Sequence, residues 1–145
     1  MFKKEEVFRM TLTKTTEYAL KTLSFMALDE KKMFSSEELH ENLKIPKKYL
    51  QRLLTDLSKN GLIKSIRGRN GGYIFARSIK KIYISDIIDA VEGFNHTPSC
   101  LFGLKECALD NPCAMHDVWS DSQKSIIKTL SSTRLGDLIN KNVKV

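Results

Sequence analysis

The chain has 145 residues, of which 41% are hydrophobic, and carries a formal charge of +7. That length builds one core with a small appendage, and the excess of lysine and arginine points to a polyanionic partner, nucleic acid above all. No apolar run reaches the roughly 18 residues of a membrane helix, and the charged stretch from Met1 to Arg9 has no apolar signal core. A cytoplasmic protein is expected, with no membrane and no small-molecule substrate, and with residues 1–9 an extension ahead of Met10. Thiols stay reduced in that compartment, and an odd count of three cysteines argues against a disulfide framework.

Residues Thr13 to Asp29 place apolar groups at Ala19, Leu23, Met26 and Ala27, the spacing of a helix with one buried stripe. Ser35-Ser36-Glu37-Glu38 is a capping-box pattern that opens a short helix through Leu43. Ile45-Pro46 then breaks the chain, and proline suits the start of the next helix because its missing N–H would have no helical partner there. From Pro46 to Lys59, Leu50, Leu53, Leu54 and Leu57 fall at i, i+3, i+4 and i+7 and form a core face. Lys48, Gln51, Arg52 and Thr55 repeat that spacing two residues earlier, about 200° around the helix, and so face outward. Asn60-Gly61 closes the helix. Two helices, a tight break and a basic, amide-bearing outer face make a helix-turn-helix.

Leu62–Ile66 and Tyr73–Ala76 are β-rich runs around Arg67-Gly68-Arg69-Asn70-Gly71-Gly72, a hairpin with a basic tip, or wing. Ser85-Asp86 is expected to cap a further helix that runs to Glu92 and stops at Gly93. Phe94 to Asn111 reads as loop. From Cys113 to about Leu130 a long helix carries Met115, Val118, Trp119, Ile126, Ile127 and Leu130 as a partly apolar stripe, interrupted by serine and threonine. It is expected to pack on a second subunit, with Thr133 to Ile139 adding a last turn or two. The fold class is therefore mainly α with a small β-hairpin wing: a winged helix-turn-helix domain plus a long dimerisation helix. Residues 10–92 would be the DNA-binding domain, 93–114 a cluster-binding loop, and 115–145 the dimerisation helix and tail.

On double-stranded DNA, Lys47, Lys48, Gln51, Arg52 and Thr55 would lie in or beside the major groove. There the Gln51 amide suits adenine and Arg52 suits guanine or phosphate. Arg67, Arg69 and Asn70 would reach phosphates or the minor groove. No Ser/His/Asp grouping, phosphate loop or paired-carboxylate motif points to an enzyme.

All three cysteines stand close together as Cys100-x6-Cys107-x5-Cys113-x2-His116. Thiolates are soft ligands that select iron–sulfur clusters, zinc or cuprous copper. Clusters take four protein ligands, and histidine replaces cysteine in some of them. Structural zinc sites bring ligands in close Cys-x2-Cys pairs, absent here, so the spacing favours a cluster while leaving zinc open. His116 lies one helical turn past Cys113 and is the favoured fourth ligand. Glu17 on the first helix is an oxygen donor that only folding would bring near. His40 and His96 have no such context and are expected to face solvent.

Leu12-Thr13, Pro46-x2-Tyr49-Leu50-x2-Leu53-Leu54, Asn60-Gly61-Leu62 and Ser65-x-Arg67-Gly68-x2-Gly71-Gly72-Tyr73, followed by the three cysteines, strongly resemble the Rrf2 family of bacterial transcription regulators. The likeness covers nearly all of Met10 to Asn140. The cysteine triad places it with the cluster-binding branch, which includes the iron–sulfur biogenesis regulator and the nitric-oxide-sensing repressor. The resemblance implies a winged-helix homodimer with an iron–sulfur cluster near its long helix, [2Fe-2S] ahead of [4Fe-4S]. The ending at His116 looks like the biogenesis regulator, although that regulator's first cysteine gap is one residue shorter. Glu17 lies where the nitric-oxide sensors place an acidic ligand. Lys48 and Gln51 stand where the biogenesis regulator has serine and glutamate, which implies a different target sequence. The function implied is transcription regulation, as a repressor, with operator binding controlled by iron–sulfur status, redox state or nitric oxide. The alternative is a zinc-stabilised or metal-free winged-helix protein without sensing.

Overall fold

The computed structural model describes residues 12–94 and 113–139. Helix α1 (Lys14–Ala27) starts where the Thr13 side chain accepts the Thr16 N–H, and it buries the expected Ala19, Leu23, Met26 and Ala27 together with Thr16, Thr22 and Ser24. Small polar residues thus widen the stripe and let neighbouring helices approach. In α2 (Ser36–Leu43) only half of the capping box forms. The Ser35 hydroxyl accepts the Glu38 N–H at 3.1 Å, while the Glu38 carboxylate pairs with Lys32.

The turn between α2 and α3 (Lys47–Lys59) is built from Lys44, in the left-handed conformation at φ 55°. His40 Nδ1 lies 2.7 Å from the Ile45 carbonyl oxygen. His40 is half-buried and bonded, not solvent-facing as its sequence context suggested, because the reversal after α2 turns that carbonyl back onto the helix end. Leu50, Leu53, Leu54 and Leu57 of α3 are all buried, each contributing about 1.5–3 kcal/mol of transfer free energy.

Strands β1 (Ile63–Ile66) and β2 (Gly72–Phe75) pair antiparallel, with Ile63 opposite Phe75 and Ile66 opposite Gly72. Gly68 at φ 125° supplies a conformation that L side chains rarely adopt. Phe34 adds a bridge to β2, exchanging backbone bonds of 2.8 and 3.0 Å with Tyr73. A Cβ at Gly72 would stand 2.5 Å from the Phe34 carbonyl oxygen, so only glycine permits this approach.

After a short 3-10 turn (Ile79–Lys81), α4 (Ile84–Glu92) begins earlier than the Ser85-Asp86 pair suggested. Asp86 caps it from inside by accepting the Tyr83 N–H at 2.9 Å. Ser85 is buried in the first turn, because Ile84, Ile87 and Ile88 must all enter the core.

Helix α5 (Met115–Ser132) packs beside α4, yet none of its residues is fully buried. The chain then returns to the domain. Ile84 N–H donates to Thr133 O and Leu135 N–H to Ile82 O, at 3.0 and 2.8 Å. Leu135, which opens α6 (Leu135–Ile139), is wholly enclosed in the core formed by α1 to α4 and β1. The architecture is mainly helical with one two-stranded antiparallel hairpin. Among the described residues no helix is long and apolar enough to cross a membrane.

Candidate nucleic-acid interface

Because the leucine face of α3 is in the core, the opposite face must be out. Lys47, Lys48, Gln51, Arg52 and Thr55 are all exposed. Two of them already have partners. The Thr55 hydroxyl donates to the Gln51 carbonyl at 2.9 Å and is thereby tied to its own helix. Lys47 Nζ lies 2.9 Å from a Glu37 oxygen on α2, and this bond holds the Glu37 carboxyl below the usual carboxylate range. Lys48, Gln51 and Arg52 make no side-chain hydrogen bond or ion pair with the described residues, which leaves their donors for an external partner.

At the wing tip Arg67, Arg69 and Asn70 are exposed, and the Gly71 N–H to Gly68 O bond of 3.0 Å closes the loop beneath them. One feature of this surface went unread in the sequence. Tyr49 lies off the leucine stripe and is 62% exposed at the edge of the outward face. It shares a shallow groove with Thr15 and Tyr18 of α1, Arg52, Leu53 and Asp56 of α3, and Val91 of α4. Arg52 therefore stands on the flank of α3 rather than at the centre of its outer face.

The first turn of α1 is anchored to the end of α4. Both the Thr13 and the Thr16 hydroxyls donate to the Glu92 carboxylate. Lys14 Nζ lies 3.0 Å from Glu17, which raises the lysine pKa chiefly through that hydrogen bond. Glu17 thus faces a cation from its own helix.

Cys100 and Cys107 lie outside the described residues. Cys113 is half-buried immediately ahead of α5 and His116 is exposed in its first turn. The His116 N–H donates to the Cys113 carbonyl at 2.9 Å, so one backbone turn joins these two residues. Among the described residues no group of three or more histidine, cysteine, aspartate or glutamate side chains comes together as a metal site.

Comparison with known proteins fits this surface. Residues 12–141 match the Rrf2 family, described as iron-dependent transcriptional regulators. The chain is 31% identical over 137 residues to the HTH-type transcriptional regulator IscR of Xenorhabdus nematophila, covering 94% of this chain and 82% of that protein. Among solved structures it is similar to CymR, the global cysteine regulator of B. subtilis, with a TM-score of 0.76 and 26% identity over 92% of this chain and 99% of the other. The IscR structure from T. potens superposes with a TM-score of 0.73 and 27% identity, covering 94% and 91% of the two chains. The exposed outer face of α3, the basic wing and the matched span agree: this chain belongs to the Rrf2 family of DNA-binding transcription regulators and is not an enzyme.

Proposed function

We propose that the protein is a cytoplasmic homodimeric repressor whose binding to double-stranded operator DNA is controlled by an iron–sulfur cluster. Cys100, Cys107, Cys113 and His116 are its assigned ligands. The observation that carries this reading is the single backbone turn joining Cys113 and His116 at the start of α5. It sets a thiol and an imidazole three residues apart, one turn from each other, at one helix end. Three soft thiols with one imidazole suit an iron–sulfur core better than a hard cation. When bound, such a group supplies redox- and nitric-oxide-sensitive chemistry, at a potential raised where neutral imidazole replaces a fourth thiolate. The thiols must give up their protons to ligate, so loading releases protons to solvent.

The DNA face in this reading is Lys47, Lys48, Gln51, Arg52 and Thr55 with Arg67, Arg69 and Asn70 of the wing. The segment between α4 and α5 joins the winged domain to the helix that exposes Met115, Val118 and Ile126. Cluster binding at the start of α5 would shift α5 against α4 and change the spacing of two α3 helices on a near-palindromic site.

Anaerobic purification followed by iron, sulfide and visible-absorption measurements tests the proposal. A brown protein with about two irons and two sulfides per chain is expected. Cys107→Ala should abolish the visible spectrum and change DNA affinity while leaving the far-UV circular dichroism intact. His116→Ala should shift the spectrum. A spectrum that responds to Glu17→Ala and not to His116→Ala would make Glu17 the fourth ligand. A colourless protein that contains zinc, or no metal, would refute cluster sensing.

A further inference from the structure

The groove between α1, α3 and α4 has chemistry that base recognition does not use. Its volume is 150 Å³, several times the roughly 30 Å³ share of one water in the liquid. Tyr49, Arg52 and Asp56 fall at i, i+3 and i+7 and form one row along the flank of α3. Gln51 and Thr55 form the neighbouring, outward row. Thr15 and Tyr18 close the groove from α1, with Leu53 and Val91 as its apolar lining.

Polarity runs along the groove. The Asp56 end approaches the close of α4, because Asn60, one turn further on, donates its side-chain amide to the Ala90 carbonyl at 3.2 Å. Arg52 stands one turn before Asp56 and Tyr49 about one turn before Arg52, and neither the guanidinium nor the phenol has a hydrogen-bond or ion-pair partner among the described residues. Lys14 Nζ lies 5.4 Å above the Tyr18 ring on the α1 rim, a charge it shares with Glu17 at 3.0 Å. The donors lie toward Tyr49 and the one lining carboxylate, Asp56, stands a turn beyond Arg52, so an anion is favoured between Tyr49 and Arg52, on the side away from Asp56.

We propose that this end of the groove seats one backbone phosphate of each DNA half-site, held by Arg52 and Tyr49 from α3 and by Thr15 from α1. Arg52 is then a positioning residue that fixes how α3 enters the major groove, and it reads no base. A guanidinium fork matches two phosphate oxygens, a phenol and a threonine hydroxyl each add one donor, and contacts of this kind orient a protein without carrying sequence information. The N-terminal half of a recognition helix is the part that approaches the duplex, and Tyr49 and Arg52 both lie in that half of α3. The inference rests on the outer face of α3 being the DNA face.

The test uses the full chain, a duplex that the protein itself selects from a randomised pool, and a scrambled duplex of equal length. Arg52→Ala and Tyr49→Phe should weaken both duplexes by the same factor, roughly 5- to 20-fold and 3- to 10-fold, with the ratio between duplexes unchanged. For Arg52→Ala the slope of log K against log salt should fall by about 0.9, the value for one phosphate. Arg52→Lys should keep the slope and recover only part of the affinity, since it retains the charge and loses the fork. Replacing single phosphates by methylphosphonates should locate one sensitive position per half-site, and Arg52→Ala should be indifferent at that position. A change in the ratio between duplexes larger than the loss on the scrambled one would make Arg52 a base reader and overturn the proposal. Gln51→Ala separates the two levels. If it alters sequence preference while Arg52→Ala and Tyr49→Phe change nothing, the phosphate seat is wrong and the DNA face stands. If none of the three has any effect, the DNA face itself is wrong.

Discussion

Lys47 shows how a single ion pair sets the charge that the outer face of α3 presents. Its ammonium is engaged by Glu37 across the turn between α2 and α3, so at neutral pH part of its charge is spent within the protein. The Glu37 carboxyl is held below its ordinary range by that hydrogen bond. A carboxyl whose folded pKa is depressed contributes stability above its unfolded value, about 4.3, and loses it as pH falls through the lower folded value. Wild-type stability should therefore decline with an extra acid slope below about pH 4.3 that Glu37→Gln lacks. Both groups are exposed, which keeps the contribution small. The same variant releases Lys47 toward phosphates. DNA affinity at neutral pH should rise, and its salt dependence should steepen by up to about 0.9 in slope. An unchanged slope in a salt titration would show that Lys47 does not reach the backbone.

Helix α5 is unusual among the elements because it exposes Met115, Val118 and Ile126 at 44%, 61% and 44%. The hydroxyls that interrupt its stripe are satisfied internally. Ser122 donates to the Val118 carbonyl, Thr129 to Ser125 and Thr133 to Thr129. Residues 115, 118, 122, 126 and 129 then form a face of apolar groups and self-bonded hydroxyls, the kind of surface that a second helix covers. A charge placed on that face should leave the monomer folded, since Val118 is mostly exposed. Val118→Glu is expected to weaken self-association at least tenfold, which requires only about 1.4 kcal/mol. Sedimentation of wild type and variant at micromolar concentration decides it, and equal dimer fractions would mean that α5 pairs through another face or not at all.

Across the fold, α5 is tied to the winged domain by its packing on α4 and by the return of the chain to the core just after it ends. Thr13 and Thr16 hold Glu92 where α4 ends, and Leu135 plugs the core just after α5 ends. A displacement of α5 would therefore disturb its packing on α4 and the anchor at Leu135. Leu135→Ala should cost about 2–5 kcal/mol, the range for a fully enclosed leucine. Thermal unfolding would show a single transition at lower temperature if α6 belongs to the cooperative unit. A separate early transition, with the main one unmoved, would show that α5 and α6 detach independently.

Local pattern determined much of this protein. A helix has one face for the core, so the leucine spacing of α3 alone put Lys48, Gln51, Arg52 and Thr55 outside, and two β-rich runs around a glycine-rich tip marked the wing. The family was likewise legible, because its motifs are short and contiguous. Tertiary structure alone decided the rest. It placed Arg52 in a groove shared with α1, bridged Phe34 to Tyr73, fastened Thr13 to Glu92 across 79 positions, and returned Leu135 to the core. The Ser85-Asp86 pair and His40 were misjudged for the same reason. A cap or a histidine is read from its sequence neighbours, but its bonding partner is chosen by which distant surfaces must be buried together.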